Sequence, residues 1–239
     1  MKSHVLRVLV CGASGRMGLA VRREMESSEG FVYAGGVDER PGEGTGKPGD
    51  FAALLEGADV VVDFSAPAAA CAYAAACARA RKPFVTGTTG FSKAQLAALK
   101  KAARRAPVFV SPNMSPAVNL TFALAALAAR RLKGFDIHIH EAHHKAKKDA
   151  PSGTALRYAA YVAGARGGVL PPVTSVRAGD IVGEHTVIYA GPHERVELTH
   201  RAHSRALFAA GALRAAAWTA GRGPGSYDYF DLLGLKDLL

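Results

Sequence analysis

Short apolar runs alternate with helix-like segments along the first half of the chain. Residues 5–11, Phe31–Val37 and Asp59–Phe64 are dense in apolar and β-branched residues, and each is typical of a buried strand. Segments of helical composition follow them, most clearly Leu19–Met25 and Ala68–Arg81. This alternation predicts a parallel sheet with helices on both faces. The pattern continues with a strand at Pro83–Thr86, a helix at Ser92–Arg105 and a strand at Val108–Ser111.

After residue 113 the pattern becomes mixed, with hairpin-like connections between strands. Phe135, Ile137 and Ile139 alternate with polar residues, which is the period of a half-buried strand. We therefore predict a first domain at residues 1–113 and 206–239 and a second, smaller domain at residues 114–205. The remaining predicted elements are helices at Ala117–Lys133, Thr154–Ala165 and Ala206–Ala220, strands at Thr174–Arg177, Glu184–Ala190 and Glu194–Ala202, and a tail at Tyr227–Leu235.

Composition narrows the class of protein without indicating a function. Of the 239 residues, 49% are hydrophobic, so the chain can bury a substantial core. Three cysteines without a C-x-x-C pair favour a reducing compartment, and no secretory segment or membrane span stands out. We therefore expect a cytoplasmic protein that does not bind membranes. The net charge of +10 suits an anionic ligand but equally a surface of solvated arginines, and no binding motif indicates nucleic acid.

A glycine-rich turn follows the first predicted strand. It reads G-x-x-G-x-x-G over Gly12–Gly18, and Asp38 ends the second strand twenty residues later. Such glycines permit a tight turn, let a pyrophosphate approach the backbone and let the following helix pack closely. The phosphates then lie at a helix N-terminus, where N–H groups point outward. We interpret the motif as a dinucleotide site; a glycine turn without nucleotide is the alternative.

Two residues give conflicting indications about the cofactor. Asp38 is placed to accept hydrogen bonds from both ribose hydroxyls, the arrangement expected for NAD. Arg40 can meet the 2′-phosphate of NADP, or it can be an ordinary solvated arginine. We therefore expect use of NADH and/or NADPH. The ends of the third and fourth strands, at Phe64-Ser65 and Gly87–Gly90, face the same crevice.

The densest polar stretch, Glu141–Leu156, lies between a predicted strand and a predicted helix. It reads EAHHKAKKDAPSGTAL. Free N–H groups at a helix start, an ammonium and a titratable imidazole together suit a small dianion on which a proton moves. Alone, His143 would more simply be a capping or packing histidine. The neighbouring Lys147 and Gly153-Thr154 favour a functional site instead.

These blocks together resemble the dihydrodipicolinate reductase family of lysine and diaminopimelate biosynthesis, along nearly the whole chain. The stretch Glu141–Leu156 is specific to that family, whereas the glycine loop is not. The resemblance implies an α/β protein with a Rossmann-type parallel-sheet dinucleotide-binding domain and a smaller mixed α/β domain for substrate binding and oligomerisation. It also implies NAD(P)H-dependent reduction of 4-hydroxy-tetrahydrodipicolinate, a cyclic dicarboxylate, to tetrahydrodipicolinate. The other matching blocks are residues 12–18, 63–65, 87–91, 111–115, 119, 176–187 and 230–235.

The resemblance also implies roles for individual residues. His143 is the expected catalytic acid/base, and Lys147 is its partner, an ammonium that also contacts the substrate. His144, Gly153 and Thr154 would hold the substrate carboxylates. The residues expected to contact the cofactor are Gly12, Gly15, Arg16, Met17, Gly18, Asp38, Arg40, Phe64, Ser65, Gly87, Thr88, Thr89, Ser111, Pro112, Asn113 and Met114.

The resemblance implies a homotetramer as well. The segment between Ala163 and Val173 is shorter than is usual in the family and lies near the family's oligomer contacts, so a dimer is the alternative.

Other interpretations compete with a reductase. Imidazoles two residues apart on a strand, such as His138 and His140, can converge on zinc. No cysteine lies nearby and Glu141 is the only adjacent acid, so we predict no metal. The enzymatic alternative is another two-domain NAD(P)-dependent amino-acid dehydrogenase, such as one acting on aspartate or diaminopimelate. The non-enzymatic alternative is an NAD(P)-sensing module.

Overall fold

The computed structural model describes residues 5–238, and the chain divides into two compact units. Among the described residues, the first unit comprises residues 5–114 and Phe208–Leu232, and the second comprises Ser115–Leu207 and residues 233–238. Sequence analysis assigned the whole segment 206–239 to the first domain. Its end instead groups with the second unit, where the carbonyl of Leu238 accepts a hydrogen bond from the Arg130 guanidinium.

Ten strands and eight α-helices make up the described part of the chain. The strands are β1 (Leu6–Cys11), β2 (Phe31–Val37), β3 (Val60–Asp63), β4 (Phe84–Thr86), β5 (Pro107–Val110), β6 (Asp136–His143), β7 (Val173–Arg177), β8 (Glu184–Ala190), β9 (Arg195–Arg201) and β10 (Gly225–Tyr227). The helices are α1 (Arg16–Ser27), α2 (Phe51–Glu56), α3 (Pro67–Ala80), α4 (Lys93–Ala102), α5 (Pro116–Arg131), α6 (Gly153–Ala165), α7 (Ala206–Ala220) and α8 (Tyr229–Leu233). Among them, no helix is long and apolar enough to cross a bilayer.

Several helix starts follow from local capping chemistry. The Ser92 hydroxyl accepts a hydrogen bond from the N–H of Gln95 at the start of α4, and the Gln95 side chain completes a capping box. Ser115 caps α5 in the same way, with Pro116 at the first helical position. Ser152 caps α6 through the N–H of Ala155. These caps fix where each polar loop ends and its helix begins.

The first unit contains a six-stranded sheet whose paired strands are all parallel, in the order β10-β5-β4-β3-β1-β2. Strands β1 and β3 are fully buried over Val8–Cys11 and Val60–Asp63, as expected for strands covered on both faces. The strand order reverses between β1 and β3, because β1 pairs with β2 on one side and with β3 on the other. Ligands of such sheets bind at this reversal, beyond the carboxyl ends of the strands.

The second unit contains a four-stranded mixed sheet in the order β7-β6-β8-β9. Strand β6 pairs parallel with β7 and antiparallel with β8, and β8 pairs antiparallel with β9. Helices α5 and α6 pack against each other and cover one face, where the buried Tyr189 hydroxyl donates to the Ala125 carbonyl on α5. The predicted fold class, a Rossmann-type parallel sheet with a separate mixed α/β unit, is therefore confirmed.

Pairing decides which histidines share a face of β6. Glu141 pairs with residues of both β7 and β8, and His143 pairs with a residue of β7. The strand predicted around Phe135–Ile139 therefore continues to His143. Successive side chains of a strand point to opposite faces. His143 therefore lies on the face that the helices cover, whereas His138 and His140 lie on the other face and both bond the hydroxyl of Thr174.

Candidate active site

The glycine loop lies where the strand order of the first sheet reverses. Gly12 has a positive φ of 73°, and a Cβ there would be 2.5 Å from the carbonyl oxygen of Phe64, the residue after β3. A Cβ on Gly18 would be 2.1 Å from the carbonyl oxygen of Gly12. Both positions therefore require glycine, one for the turn and one for the close approach of α1.

The remaining predicted cofactor residues in this unit follow the carboxyl ends of β1 to β5. Gly15 is the N-cap of α1 and gives no side-chain cap, so the first-turn N–H groups of the helix are available to an anion. The Gly87 backbone lies against the Phe64 ring, and a Cβ at Gly87 would be 2.2 Å from a carbon of that ring. These residues fit a dinucleotide whose phosphates lie on the loop. The other members of this edge are Arg16, Met17, Asp38, Ser65, Thr88, Thr89, Ser111, Pro112, Asn113 and Met114.

Asp38 holds the loop around it in place. Its carboxylate accepts hydrogen bonds from the N–H of Ser14 (3.1 Å) and from the N–H of Arg40 (2.9 Å). The Ser14 hydroxyl in turn accepts from the N–H of Gly42 at 3.1 Å. The carboxylate of Asp38 therefore bonds the backbone of the glycine turn and of its own loop, whereas Arg40 is exposed to solvent.

Asp63 is a buried carboxylate that the sequence did not single out. It is 0% exposed and accepts hydrogen bonds from the hydroxyls of Ser65 (2.5 Å), Thr86 (2.7 Å) and Thr88 (2.7 Å). Burial raises the pKa of Asp63, and these hydrogen bonds oppose the rise without cancelling it. The carboxylate ties the end of β3 to the end of β4. Thr88, predicted as a cofactor contact, therefore has its hydroxyl engaged with Asp63.

A cavity of about 690 Å³ lies at the opposite edge of this sheet, where the strands begin. Its cationic lining follows the C-terminal ends of α3, α4 and α7, where positive charge complements the helix dipole. The helix dipoles therefore account for these cationic side chains, and no bound ligand is needed to explain them. The cations are Arg81, Lys82, Arg104, Arg105 and Arg222.

In the second unit, a network of charged side chains surrounds Glu141 on β6. The Glu141 side chain is 0% exposed. Its Oε2 accepts from His143 Nδ1 at 2.5 Å and from Arg177 Nη1 at 2.9 Å. Its Oε1 accepts from Arg177 Nη2 at 2.7 Å and from the N–H of Ser152 at 3.2 Å. A completely buried carboxylate is thus surrounded by donors, two of them from one guanidinium.

The network shifts two pKa values downward. Burial alone would raise the pKa of Glu141, but hydrogen bonds from Arg177, Ser175 and His143 lower it to about 2. For His143, burial lowers the pKa, Glu141 opposes this, and the charges of Lys147 and Arg177 lower it further. The net pKa of His143 lies below its usual 6.5. At neutral pH the pair is therefore a carboxylate beside a mostly neutral imidazole.

Lys147 lies in the loop that follows β6, and its ammonium is paired. Nζ donates to both carboxylate oxygens of Asp149, at 2.8 and 2.9 Å. The N–H of Gly153, at the start of α6, also bonds Asp149 and helps to lower its pKa. Asp149 is 58% exposed and Lys147 22%. The carboxylate of Asp149 therefore occupies two of the groups predicted to hold a substrate carboxylate. The other predicted substrate residues, His144 and Thr154, flank this loop at the end of β6 and on the first turn of α6.

His185 on β8 completes the buried side of this cluster. Its ring meets the ring of His143 edge to face, with centroids 5.1 Å apart, and its Nε2 lies 3.0 Å from the Ser152 hydroxyl. Burial and the neighbouring His143 lower the pKa of His185 to about 3. His185 is therefore a neutral packing partner for His143.

Glu141, His143 and His185 offer three metal-ligand atoms within 4.8 Å of one another. Both oxygens of Glu141 already accept from Arg177, and His185 Nε2 is engaged with Ser152. A cation placed there would meet the Arg177 guanidinium at close range. We therefore do not assign these residues as metal ligands, and the expectation of a metal-free site stays a prediction.

The sequence predicts His143 and Lys147 as site residues, but it does not indicate the residues that surround them in the structure: Glu141 and Asp149, which bond them, and Arg177, which bonds Glu141. Glu141 and His143 are two apart on a strand, so their shared face was a signal that could have been used. Arg177 belongs to a block that matched the family, but nothing local connects it with Glu141, 36 residues away. Asp149 lies two residues after Lys147, but the sequence alone does not show that the two side chains form an ion pair.

Comparisons with known proteins agree on one family. The sequence model described as "Dihydrodipicolinate reductase, N-terminus" matches residues 6–114, and that described as "Dihydrodipicolinate reductase, C-terminus" matches residues 117–233. A 4-hydroxy-tetrahydrodipicolinate reductase of Thiobacillus denitrificans is 46% identical, over 97% of this chain and 99% of its own. One from Anaeromyxobacter dehalogenans is 43% identical, over 96% and 98%.

Solved structures show a similar fold. A dipicolinate-bound dihydrodipicolinate reductase from Paenisporosarcina sp. TG-14 gives a TM-score of 0.82, at 21% identity over 96% of this chain and 99% of that one. A diaminopimelate dehydrogenase of C. glutamicum gives a TM-score of 0.60, at 16% identity over 95% and 93%. The fold alone therefore does not separate these enzymes.

Proposed function

The chain belongs to the dihydrodipicolinate reductase family, and we propose that it reduces 4-hydroxy-tetrahydrodipicolinate to tetrahydrodipicolinate with NADH or NADPH, in diaminopimelate and lysine biosynthesis. The proposal rests on the cluster of His143, Lys147 and the α6 N-terminus in the second unit, together with the presence of a glycine loop in the first unit. An imidazole, an ammonium and helix N–H groups match a cyclic dicarboxylate on which charge changes during reduction. The reaction consumes one proton and releases water.

The glycine-loop unit would hold the cofactor. Gly12 permits the tight turn and Gly18 the close approach of α1, and the N-terminus of α1 would offer N–H groups to the pyrophosphate. Asp38 would accept hydrogen bonds from the adenosine ribose. When bound, the reduced nicotinamide supplies a hydride. The residues of this edge bind and orient it, and they do not themselves move protons.

The second unit would hold the substrate and move the proton. His143 would donate the proton that balances the hydride from Nε2, the ring nitrogen that does not bond Glu141. Lys147 would stabilise the negative charge that develops and contact a carboxylate, with His144, Gly153 and Thr154 on the same dianion. An ammonium has three N–H donors, and Asp149 takes two of them. The third donor, or displacement of Asp149, would admit the substrate carboxylate.

We infer both NADH and NADPH as productive cofactors. Asp38 favours unmodified ribose hydroxyls, whereas Arg40 is exposed and close enough in the chain to meet a 2′-phosphate. A charge at a solvated rim changes affinity by only about 1 kcal/mol. A strong preference for either cofactor would therefore need a contact beyond these two residues.

The proposal includes a homotetramer in the cytoplasm, with a dimer as the alternative. The short connection after α6 exposes Val169 (79%) and Leu170 (65%), and Val176 on the neighbouring edge strand β7 is 40% exposed. Exposed apolar side chains grouped beside an edge strand are typical of contact surfaces between subunits. The three cysteines are free thiols, which suits a reducing compartment.

The deciding experiment is NAD(P)H oxidation with substrate generated in situ by the dihydrodipicolinate synthase reaction. Turnover with this substrate, and none with NAD(P)+ plus diaminopimelate or aspartate, supports the reductase. Oxidation of diaminopimelate or aspartate instead would identify an amino-acid dehydrogenase. Cofactor binding by calorimetry without turnover on any substrate would identify a sensing module. Light scattering on the wild type and on a Val169→Glu, Leu170→Glu variant measures the oligomeric state in the same preparation.

A further inference from the structure

We propose that Glu141, clamped by Arg177, is a positioning residue that fixes His143 with its proton on Nδ1 and leaves Nε2 as the atom that exchanges a proton with the substrate. The proposal deepens the proposed function and rests on it for the identity of the substrate. It assigns a role to two residues, Glu141 and Arg177, that are not among the residues expected to contact the substrate or the cofactor.

The first step is the saturation of the Glu141 carboxylate. The Glu141 carboxylate accepts hydrogen bonds from His143 Nδ1, from both terminal nitrogens of Arg177 and from the N–H of Ser152, and the Ser175 side chain also bonds it. A carboxylate with this surrounding carries no proton of its own to donate. Its partner on His143 must therefore be an N–H, which places the imidazole proton on Nδ1.

The second step concerns the other ring nitrogen. Among residues 5–238, His143 Nε2 has no hydrogen-bond partner, although the residue is only 9% exposed. A Cβ on Gly183 would lie 3.0 Å from Nε2 and 3.3 Å from Cδ2. The absence of a side chain at Gly183 therefore leaves space beside Nε2. A neutral imidazole held as Nδ1–H has its lone pair, and after protonation its acidic N–H, in that space.

The third step is the role of Arg177. Its Nη2 donates to Glu141 and, at 2.5 Å, to the backbone carbonyl of Asp149, in the loop that carries Lys147. One guanidinium thus links the carboxylate that orients the imidazole to the loop that carries the ammonium. A lysine could not reproduce the paired geometry, because its charge is a single point.

Electrostatics gives the proposal a signature that a purely structural role lacks. The charged and titratable groups facing His143 are Glu141 on β6, Arg177 on β7, His185 on β8 and Lys147 in the following loop. Glu141 raises the pKa of His143, whereas Lys147 and Arg177 lower it. Loss of Glu141 should therefore weaken proton binding by His143, and loss of Arg177 should strengthen it. A general acid loses activity as the pH rises through its pKa, so the two losses move that limb in opposite directions.

The test combines NMR with kinetics on the full-length protein. Histidine labelled with 15N reports the tautomer of His143 in the wild type, assigned with His143→Gln, and needs no catalytic activity. We expect Nδ1–H in the wild type and a mixture of tautomers in Glu141→Gln. In kcat/KM profiles, the high-pH limb should shift to lower pH in Glu141→Gln and to higher pH in Arg177→Met. The kcat of Glu141→Gln should fall about tenfold or more while the KM for NADH is unchanged.

A Gly183→Ala variant tests the space beside Nε2 separately. It should lower kcat and keep the wild-type Nδ1–H signal, since its Cβ meets the ring on the side away from Glu141. A wild-type His143 protonated on Nε2 overturns the proposal, whatever the variants do. So does a Glu141→Gln enzyme with unchanged tautomer and pH profile. If the wild type has the expected tautomer but never reduces the substrate, the proposed function fails while the positioning geometry stands.

Discussion

Asp63 in the first unit and Glu141 in the second are both completely buried carboxylates, yet their pKa values shift in opposite directions. Burial raises the pKa of Asp63, because its partners are neutral hydroxyls of Ser65, Thr86 and Thr88. Hydrogen bonds from Arg177, Ser175 and His143 lower the pKa of Glu141 to about 2, although this residue is also 0% exposed. Low exposure alone therefore does not decide the direction in which the pKa of a carboxylate shifts; the hydrogen bonds and charges of its partners also enter.

The contrast extends to the sites that the two carboxylates support. The edge proposed to hold the cofactor is lined by backbone, with glycines where a side chain would collide and with Asp63 tying two strand ends together. The site proposed for the substrate is made of charged and titratable side chains that influence one another's pKa values. We expect substitutions of charge to have large effects in the second unit and small effects at the solvated rim of the first.

The largest effect is expected from His143→Gln. Removing the proposed proton donor should lower kcat by roughly 10²–10⁴-fold, the usual contribution of general acid–base catalysis, with little change in cofactor affinity. His138→Gln is the matched control, because His138 lies on the other face of the same strand and bonds Thr174. Steady-state kinetics of both variants measures the difference. Wild-type kcat in His143→Gln would remove His143 from the mechanism.

The contributions of Glu141 and Asp63 to the free energy of unfolding should depend on pH in opposite ways. The folded pKa of Glu141, about 2, lies below its usual 4.5, so its stabilisation is present above about pH 4.5 and is lost as the pH falls toward 2. This linkage amounts to roughly 3 kcal/mol. Asp63 has a raised pKa, so it opposes folding as the pH rises above 3.8.

Urea unfolding of wild type, Glu141→Gln and Asp63→Asn between pH 2.5 and 7, roughly the window of these shifts, measures both contributions. The free energy of unfolding of Glu141→Gln should fall less steeply toward low pH than that of the wild type. Asp63→Asn should be little changed or more stable at neutral pH. The same pH dependence in all three proteins would show that the opposite shifts are absent.

Binding of dipicolinate, a planar dicarboxylate, should depend on Lys147 in the second unit. Lys147→Ala removes a charged donor and should weaken competitive inhibition by about 2 kcal/mol, or roughly thirtyfold. Asp149→Asn should instead tighten it by a few fold, because the residue no longer places a competing carboxylate on Lys147 and Gly153. Inhibition constants for both variants measure this pair of effects. Equal inhibition of Lys147→Ala and wild type would move the dicarboxylate site elsewhere.

The smallest effect is expected at the rim of the first unit. A 2′-phosphate near Asp38 meets like charge, and Arg40 offsets this only when its exposed loop folds back. NADH should therefore serve at least as well as NADPH, with KM values within roughly tenfold. Arg40→Ala should weaken NADPH selectively, by about 1 kcal/mol.

The check is kcat/KM for each cofactor in the wild type and in Arg40→Ala. A preference for NADPH of roughly a hundredfold in the wild type would contradict the argument from Asp38. Equal losses for both cofactors in the variant would assign Arg40 to loop structure and not to the phosphate.

Much of the fold could be predicted from local patterns. The apolar runs of β1 to β4 and the helices between them follow from composition and period alone, and Gly12 and Gly18 marked the turn correctly. The extension of β6 to His143 was missed because EAHH has no strand-like alternation of apolar residues. The cofactor and substrate roles of individual residues stay predictions until they are measured.

The sequence by itself determined the family, the parallel sheet with its glycine loop and the presence of His143 and Lys147 beside a helix start, because each of these is written in contiguous residues. Only the tertiary structure decided in which direction the pKa of each buried carboxylate shifts. Arg177 reaches Glu141 across 36 positions of the chain, and Thr88 reaches Asp63 across 25. Those distances are closed by strand register, and register is a property of the assembled sheet that no local pattern carries.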